Sequence, residues 1–184
     1  MNFIIELYSM RLSFYFLTVC VLLLQLSACG QAQSKKDKPA MASKNPYYSR
    51  TSKEKLHLAD SVWKKILPED LYEVARHADT ERPFTGKYWN TDTKGTYYCA
   101  ACGNQLFRST AKFQSQCGWP SFFEQEHPES VEFKSDKSYG MNRTEALCGR
   151  CGSHLGHLFD DGPKPTGKRY CMNSISLEFE EDKQ

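Results

Sequence analysis

The sequence is poor in the features that announce many functional classes. Charge of one sign is missing: 24 Lys and Arg stand against 22 Asp and Glu over 184 residues, a formal net charge of +2. A balance this close provides no basic footprint for a phosphate backbone, so no nucleic-acid partner is expected. The tract Lys35-Lys-Asp-Lys38 is short and contains an acid, and it reads as solvated linker. There is no internal repeat apart from a doubled cysteine pair, which sets aside solenoid architectures. There is also no long low-complexity segment. Long apolar runs are confined to Leu12–Leu26, too short and too near the N-terminus for a membrane span but suited to the core of a signal peptide.

That run ends in Leu26-Ser-Ala-Cys29-Gly30, which resembles the lipobox of bacterial lipoproteins, where the cysteine is lipidated and becomes the first mature residue. The resemblance implies a signal peptide over 1–28, lipidation of Cys29, loss of Cys20, and a chain held to a membrane in the cell envelope, facing outside the cytoplasm. An uncleaved anchor is the alternative. Glu6 upstream of Arg11 leaves Met1 and Met10 both open as the start. From the lipidated end to about Arg50 the residues are Gln, Ala, Ser, Lys, Pro and Asn without apolar period, so 29–50 is expected to be a flexible linker and 51–184 one domain.

Within that domain Thr51-Ser-Lys-Glu54 has capping-box form, and Leu56, Ala59, Val62, Trp63 and Ile66 follow at helical spacing. Leu67-Pro-Glu-Asp70 restarts a helix, with Leu71, Val74, Ala75 and Ala78 as its buried stripe. After Pro83 short runs take over: Thr96–Cys99, Gln105–Arg108, Val131–Lys134 and Tyr170–Phe179. Gly, Pro, Asn and Asp separate them, as in small antiparallel sheets. The class is therefore mainly β with short N-terminal helices.

Of the eight cysteines, six lie in the domain. Four form Cys99-Ala-Ala-Cys102-Gly and Cys148-Gly-Arg-Cys151-Gly. Two intervening residues bring both sulfurs to one side of a tight turn, and glycine next can take a positive φ, so two such knuckles make a tetrahedral site for structural Zn2+. Disulfides compete in an exported protein. Redox-active Cys-X-X-Cys pairs compete as well, but those precede a helix, and here Gly and a strand-like run follow.

Cys117 and Cys171 remain. Alternation from Lys168 to Phe179 puts Arg169, Cys171, Asn173, Ile175, Leu177 and Phe179 on one strand face. A guanidinium beside a thiol favours the attacking thiolate, while a buried inert cysteine with Arg169 at a strand edge is the alternative. In His154-Leu-Gly-His157 the rings would face opposite ways unless Gly156 bends the strand; one of them can move a proton, and mixed Cys/His ligation of zinc stays open.

Together, Glu81-Arg-Pro-Phe-Thr-Gly86, both Cys-X-X-Cys pairs, Cys117-Gly-Trp-Pro-Ser-Phe122, His154-Leu-Gly-His157, Asp161-Gly-Pro163 and Arg169-Tyr-Cys-Met-Asn173 resemble methionine-R-sulfoxide reductase (MsrB) over about residues 54–179. The resemblance implies two small antiparallel sheets packed together and pinned by a structural four-cysteine zinc. It implies Cys171 as nucleophile, Cys117 as the resolving thiol, and Trp119, His154, His157, Arg169 and Asn173 around the substrate, with Asp161 a weaker member. It also implies a methionine-R-sulfoxide substrate, free or protein-bound, and a thioredoxin-like reductant. A non-enzymatic zinc-bound binding module would explain the Cys-X-X-Cys pairs but leave Cys117 and Cys171 without a task.

Overall fold

The computed structural model describes residues 45–183. Cys29, the expected signal peptide and most of the expected linker lie outside the described residues; among the described residues no helix is long and apolar enough to cross a membrane. Among the described residues two helices, α1 (Asp60–Ile66) and α2 (Glu69–His77), precede nine strands. A three-stranded antiparallel sheet has the order β2-β1-β9, from Gln105–Arg108, Gly95–Cys99 and Leu177–Glu181. A six-stranded antiparallel sheet has the order β3-β4-β8-β7-β6-β5, from Lys112–Phe113, Ser121–Phe122, Arg169–Met172, His154–Phe159, Arg143–Cys148 and Val131–Asp136.

The sheets meet through aromatic side chains. Phe107 of β2 stacks on Phe122 of β4 with centroids 4.3 Å apart, and Tyr97 of β1 meets the same ring edge-on at 5.0 Å. All three are fully buried, and burying a ring of this size is worth roughly 1.5–3 kcal/mol. Trp63 of α1 and Leu71 of α2 close the core from the helical side.

The N-terminal part differs from the sequence expectation. The helix starts at Asp60 rather than at the Thr51–Glu54 box. Residues 51–58 instead run over the second knuckle without regular secondary structure: the Glu54 carbonyl accepts from Arg150 Nε at 3.1 Å, and Leu56 N–H donates to the Arg150 carbonyl at 2.7 Å. Backbone groups satisfied in this way have no need of a helix. Asn45 to Arg50, linker by composition, also pack here: Asn45 Nδ2 donates to the Ala101 carbonyl at 2.8 Å, and Ser49 N–H to the Cys102 carbonyl at 2.9 Å. The second helix is where Pro68, Glu69 and Asp70 place it, but Ala78 leaves the buried stripe to end the helix in the left-handed conformation, φ 56°.

The run from Arg169 to Phe179 is two strands. β8 belongs to the large sheet and β9 to the small one, and a 3-10 turn at Ser174–Ser176 carries the chain between them. Tyr170 and Met172 of β8 are buried while Arg169 and Cys171 are partly open. The core face of β8 is thus the opposite of the one that a single alternating strand through Leu177 would give.

Candidate active site

One row of side chains crosses the large sheet. Glu145, His157, Cys171 and Ser121 are successive cross-strand partners on β6, β7, β8 and β4, so all four stand on the same face. Cys117 comes to this row from the loop before β4, and its Sγ lies 3.5 Å from that of Cys171. Residues 54 apart in sequence therefore meet as a thiol pair, and no disulfide joins any of the six described cysteines.

Cys117 is held by hydroxyls. Ser115 Oγ lies 2.9 Å from its sulfur and Ser121 Oγ 3.5 Å, and the two hydroxyls are 2.6 Å apart. The loop turns through left-handed Gln116, φ 54°, and Gly118, φ 88°. At Gly118 a Cβ would meet Pro83 and Phe84 at 2.7–2.8 Å, so the close approach requires glycine.

The thiol pair shares its protons unequally. A hydrogen bond from the Cys171 thiol, joined by those from Ser115 and Ser121, lowers Cys117 to about 4 against the cost of burial. Contact with Cys117 and burial push Cys171 above the ordinary thiol range, and Arg169 opposes them without prevailing. Both shifts have the same origin: the two thiols touch, so they do not ionise independently of one another. Arg169 acts in the expected direction, but its Nε and Nη2 are engaged by Asp161 at 2.8 and 2.9 Å, with the guanidinium 4.2 Å over the Phe159 ring. Asp161 thus enters by orienting Arg169.

A cleft of about 120 Å3 opens over Cys171, lined by Trp119, Arg143, His157, Phe159, Met172 and Asn173 among others. Cys117 is not part of its lining. A cavity of about 480 Å3 behind the 3-10 turn is larger but holds neither thiol. The small volume suits one side chain rather than a whole drug-sized molecule.

Gly156, φ 155°, sits at a register shift between β6 and β7 and brings the two histidine rings to 5.4 Å on one side. Their environments then diverge. His154 is 2% exposed; its Nδ1 pairs with Glu145 Oε1 at 2.8 Å, and its Nε2 is buried without a partner. Burial holds it below the usual imidazole range against the pull of Glu145, so a neutral ring is favoured, and it does not line the cleft. His157 does line it, with Nε2 2.9 Å from Asp136 Oδ2.

Asn173 and Trp119 are tied together by Glu81. Asn173 Oδ1 accepts from Glu81 N–H at 3.1 Å, and its Nδ2 donates to the Leu155 carbonyl at 3.2 Å. Trp119 Nε1 donates to the Glu81 carbonyl at 3.1 Å. The Glu81 carboxylate accepts from the N–H groups of Ser174 and Ile175 at 2.6 and 3.1 Å, capping the turn that follows Cys171 and Asn173. Sequence reading quoted Glu81 without a role and missed Asp136, Arg143, Glu145, Ser115 and Ser121. Only the alternation of Arg143 with Glu145 signalled that the two share a strand face.

The other four cysteines form a separate cluster. Cys99, Cys102, Cys148 and Cys151 are buried with all four sulfurs within 4.8 Å of one another. The distances Cys99–Cys151 and Cys102–Cys148 are 3.8 and 3.6 Å. Four sulfurs at about 2.3 Å from one zinc stand about 3.8 Å apart at tetrahedral angles, so the set fits that ion. Each knuckle closes through a glycine N–H, Gly103 to the Cys99 carbonyl and Gly152 to the Cys148 carbonyl, both at 2.8 Å. Neither histidine belongs to the cluster.

Two contacting thiols thus stand beside a side-chain-sized cleft, on a sheet and not before a helix as in redox-active Cys-X-X-Cys pairs. The SelR domain matches residues 67–181. Over 126 residues the chain is 52% identical to the peptide methionine sulfoxide reductase MsrB of Methanosarcina barkeri, covering 68% of this chain and 89% of that protein. Over 127 residues it is 51% identical to that of Herminiimonas arsenicoxydans, with 69% and 93% covered. The chain belongs to the SelR domain family.

Proposed function

We propose that the protein reduces methionine-R-sulfoxide to methionine, with Cys171 as nucleophile and Cys117 as the resolving thiol. The observation that carries this reading is the 3.5 Å contact between Cys117 and Cys171 at the edge of a cleft lined by Cys171, in a chain whose relatives are named for this reaction. Arg169 favours the Cys171 thiolate, which attacks the sulfoxide sulfur. The oxygen passes to Cys171 as a sulfenic acid, His157 supplies a proton to it, and methionine departs with the electron pair. Cys117 then condenses with the sulfenic acid, releasing water and forming a disulfide, and an external thioredoxin-like dithiol reduces it. Trp119 offers an aromatic wall for the ε-methyl group. Arg169 limits the rise of Cys171, Asn173 holds the turn behind it, and His154, buried with Glu145, supports the bulge that presents His157.

The four-cysteine cluster would hold Zn2+ structurally: its coordination sphere is closed by thiolates, so it adds stability and no reactive water. The cleft over Cys171 accommodates the side chain of methionine sulfoxide, free or protein-bound. The Cys29 lipobox supports attachment to a membrane of the bacterial envelope, where oxidised envelope proteins would be the targets. Acyl-chain incorporation that is lost in Cys29→Ala is the expected result, and an unmodified, soluble wild-type product would refute the anchor. Separated sulfoxide epimers test the activity itself. Wild type should consume the R epimer alone and Cys171→Ser neither; turnover of the S epimer, or activity retained by Cys171→Ser, would overturn the reading.

A further inference from the structure

We propose that Asp136 is a positioning residue for this reduction: it fixes the ring and the protonated nitrogen of His157, leaving Nδ1 to exchange the proton at the cleft. This rests on the proposed reductase activity.

The two imidazoles have separate carboxylates. Glu145 stands directly opposite His157 in the register of β6 and β7, yet its carboxylate bonds His154. The partner of His157 comes from one strand further out, the last residue of β5, which reaches across β6. That residue is firmly held. Arg143 Nε and Nη2 donate to Asp136 Oδ2 at 3.0 and 2.6 Å, and Ser138 N–H donates to Oδ1 at 2.9 Å. Hydrogen bonds from Ser138, His157 and Arg143 hold the carboxyl well below the usual carboxylate range.

An ionised carboxylate only accepts, so the nitrogen 2.9 Å from it must carry the hydrogen. In the neutral ring Nδ1 is then the acceptor; in the charged ring it is the donor, and the ring orientation is the same in both. Carboxylates beside metal-bound histidines fix tautomers in the same way. The charged and titratable groups that face His157 are Asp136 from β5, Arg143 and Glu145 from β6, His154 from its own strand, and Cys171 and Arg169 from β8. Glu145 is committed to His154, Arg169 to Asp161, and Arg143 to Asp136 itself. Asp136 is the only carboxylate bonded to His157 among the described residues.

The test uses Asp136→Asn, with Asp136→Glu as the conservative rescue, in the full chain. Single-turnover reduction of a methionine-R-sulfoxide peptide by the reduced protein should fall about 10²-fold in Asp136→Asn, the scale of one general acid–base contribution. KM should change little. Asp136→Glu should recover most of the rate. His157→Asn combined with Asp136→Asn should be no slower than His157→Asn alone.

Arg143→Gln separates the two partners of Asp136: it retains the His157 contact, and the His157 ring should keep its wild-type tautomer. Nitrogen NMR of the His157 ring gives a reading independent of activity, with Nε2–H dominant in the neutral ring of wild type and lost in Asp136→Asn. A wild type that reduces the peptide while Asp136→Asn matches its rate and tautomer would overturn the positioning role and leave the reductase reading intact. A wild type that leaves the peptide unreduced would sink the reductase reading, and the NMR comparison would still decide whether Asp136 sets the ring.

Discussion

Serine in place of Cys171 is expected to abolish reduction, single turnover included, whereas serine in place of Cys117 is expected to leave one methionine formed per protein and then stop. The asymmetry follows from position. Cys171 lines the cleft and faces His157 across the strands, so it can meet the sulfoxide sulfur. Cys117 touches Cys171 from the neighbouring loop and is not part of the cleft lining, so it is placed for the second step. With a thioredoxin-like reductant, steady-state turnover of Cys117→Ser should fall to background, because the sulfenic acid has no resolving thiol.

The same variant should change how Cys171 titrates, and the sign can be worked out. Contact with Cys117 and burial raise Cys171, while Arg169 lowers it. Removing Cys117 removes the first of these and the like charge that opposes ionisation, and leaves Arg169 in place. Cys171 should then ionise at lower pH, and its alkylation near neutral pH should be faster in Cys117→Ser than in wild type. Alkylation at the wild-type rate, or sustained turnover with the dithiol reductant, would remove Cys117 from the cycle.

The second large expected effect concerns the Zn2+ that the four-cysteine cluster would hold. The knuckles join the β1–β2 end of the small sheet to the β6–β7 end of the large one, through Cys99 and Cys102 on one side and Cys148 and Cys151 on the other. Structural zinc contributes about 10–16 kcal/mol of apparent binding free energy to small domains that need it. A typical domain is stable by only about 5–15 kcal/mol. Cys148→Ser, or prolonged chelation, is therefore expected to leave the domain largely unfolded at 37 °C, with activity lost alongside the far-ultraviolet signal. Acid should act in the same direction, because thiolates must be deprotonated to hold the ion. Measured zinc near one equivalent in wild type and near zero in the variant would accompany the loss of melting temperature. A metal-free protein with an unchanged melting temperature would contradict a structural role.

Local chemistry was legible in the sequence. Cys-X-X-Cys-Gly spacing specifies a knuckle from five residues, and β2 runs over Gln105–Arg108, the short run that the preceding Gly103 and Asn104 set off. Pro68, Glu69 and Asp70 start α2 for reasons contained in one turn of chain. What stayed hidden depends on partners far away. The Thr51–Glu54 box lost its helix to Arg150, nearly a hundred residues later. The run after Arg169 broke because the Glu81 carboxylate caps a turn at Ser174 and Ile175. The histidines share a side because Gly156 sits in a bulge, a condition the sequence allowed but could not decide. Asp136 was invisible as part of the site for the same reason: only the sheet order brings β5 within reach of a ring on β7.

The central claim is that the six described cysteines divide into four that hold the fold and two that turn over. Mass analysis of the disulfide map tests it most directly, after fully reduced wild type has met one equivalent of methionine-R-sulfoxide. The expected product is one Cys117–Cys171 disulfide and one methionine per protein, with Cys99, Cys102, Cys148 and Cys151 still reduced. Methionine formed without that disulfide, or a disulfide within either Cys-X-X-Cys pair in its place, would contradict the account.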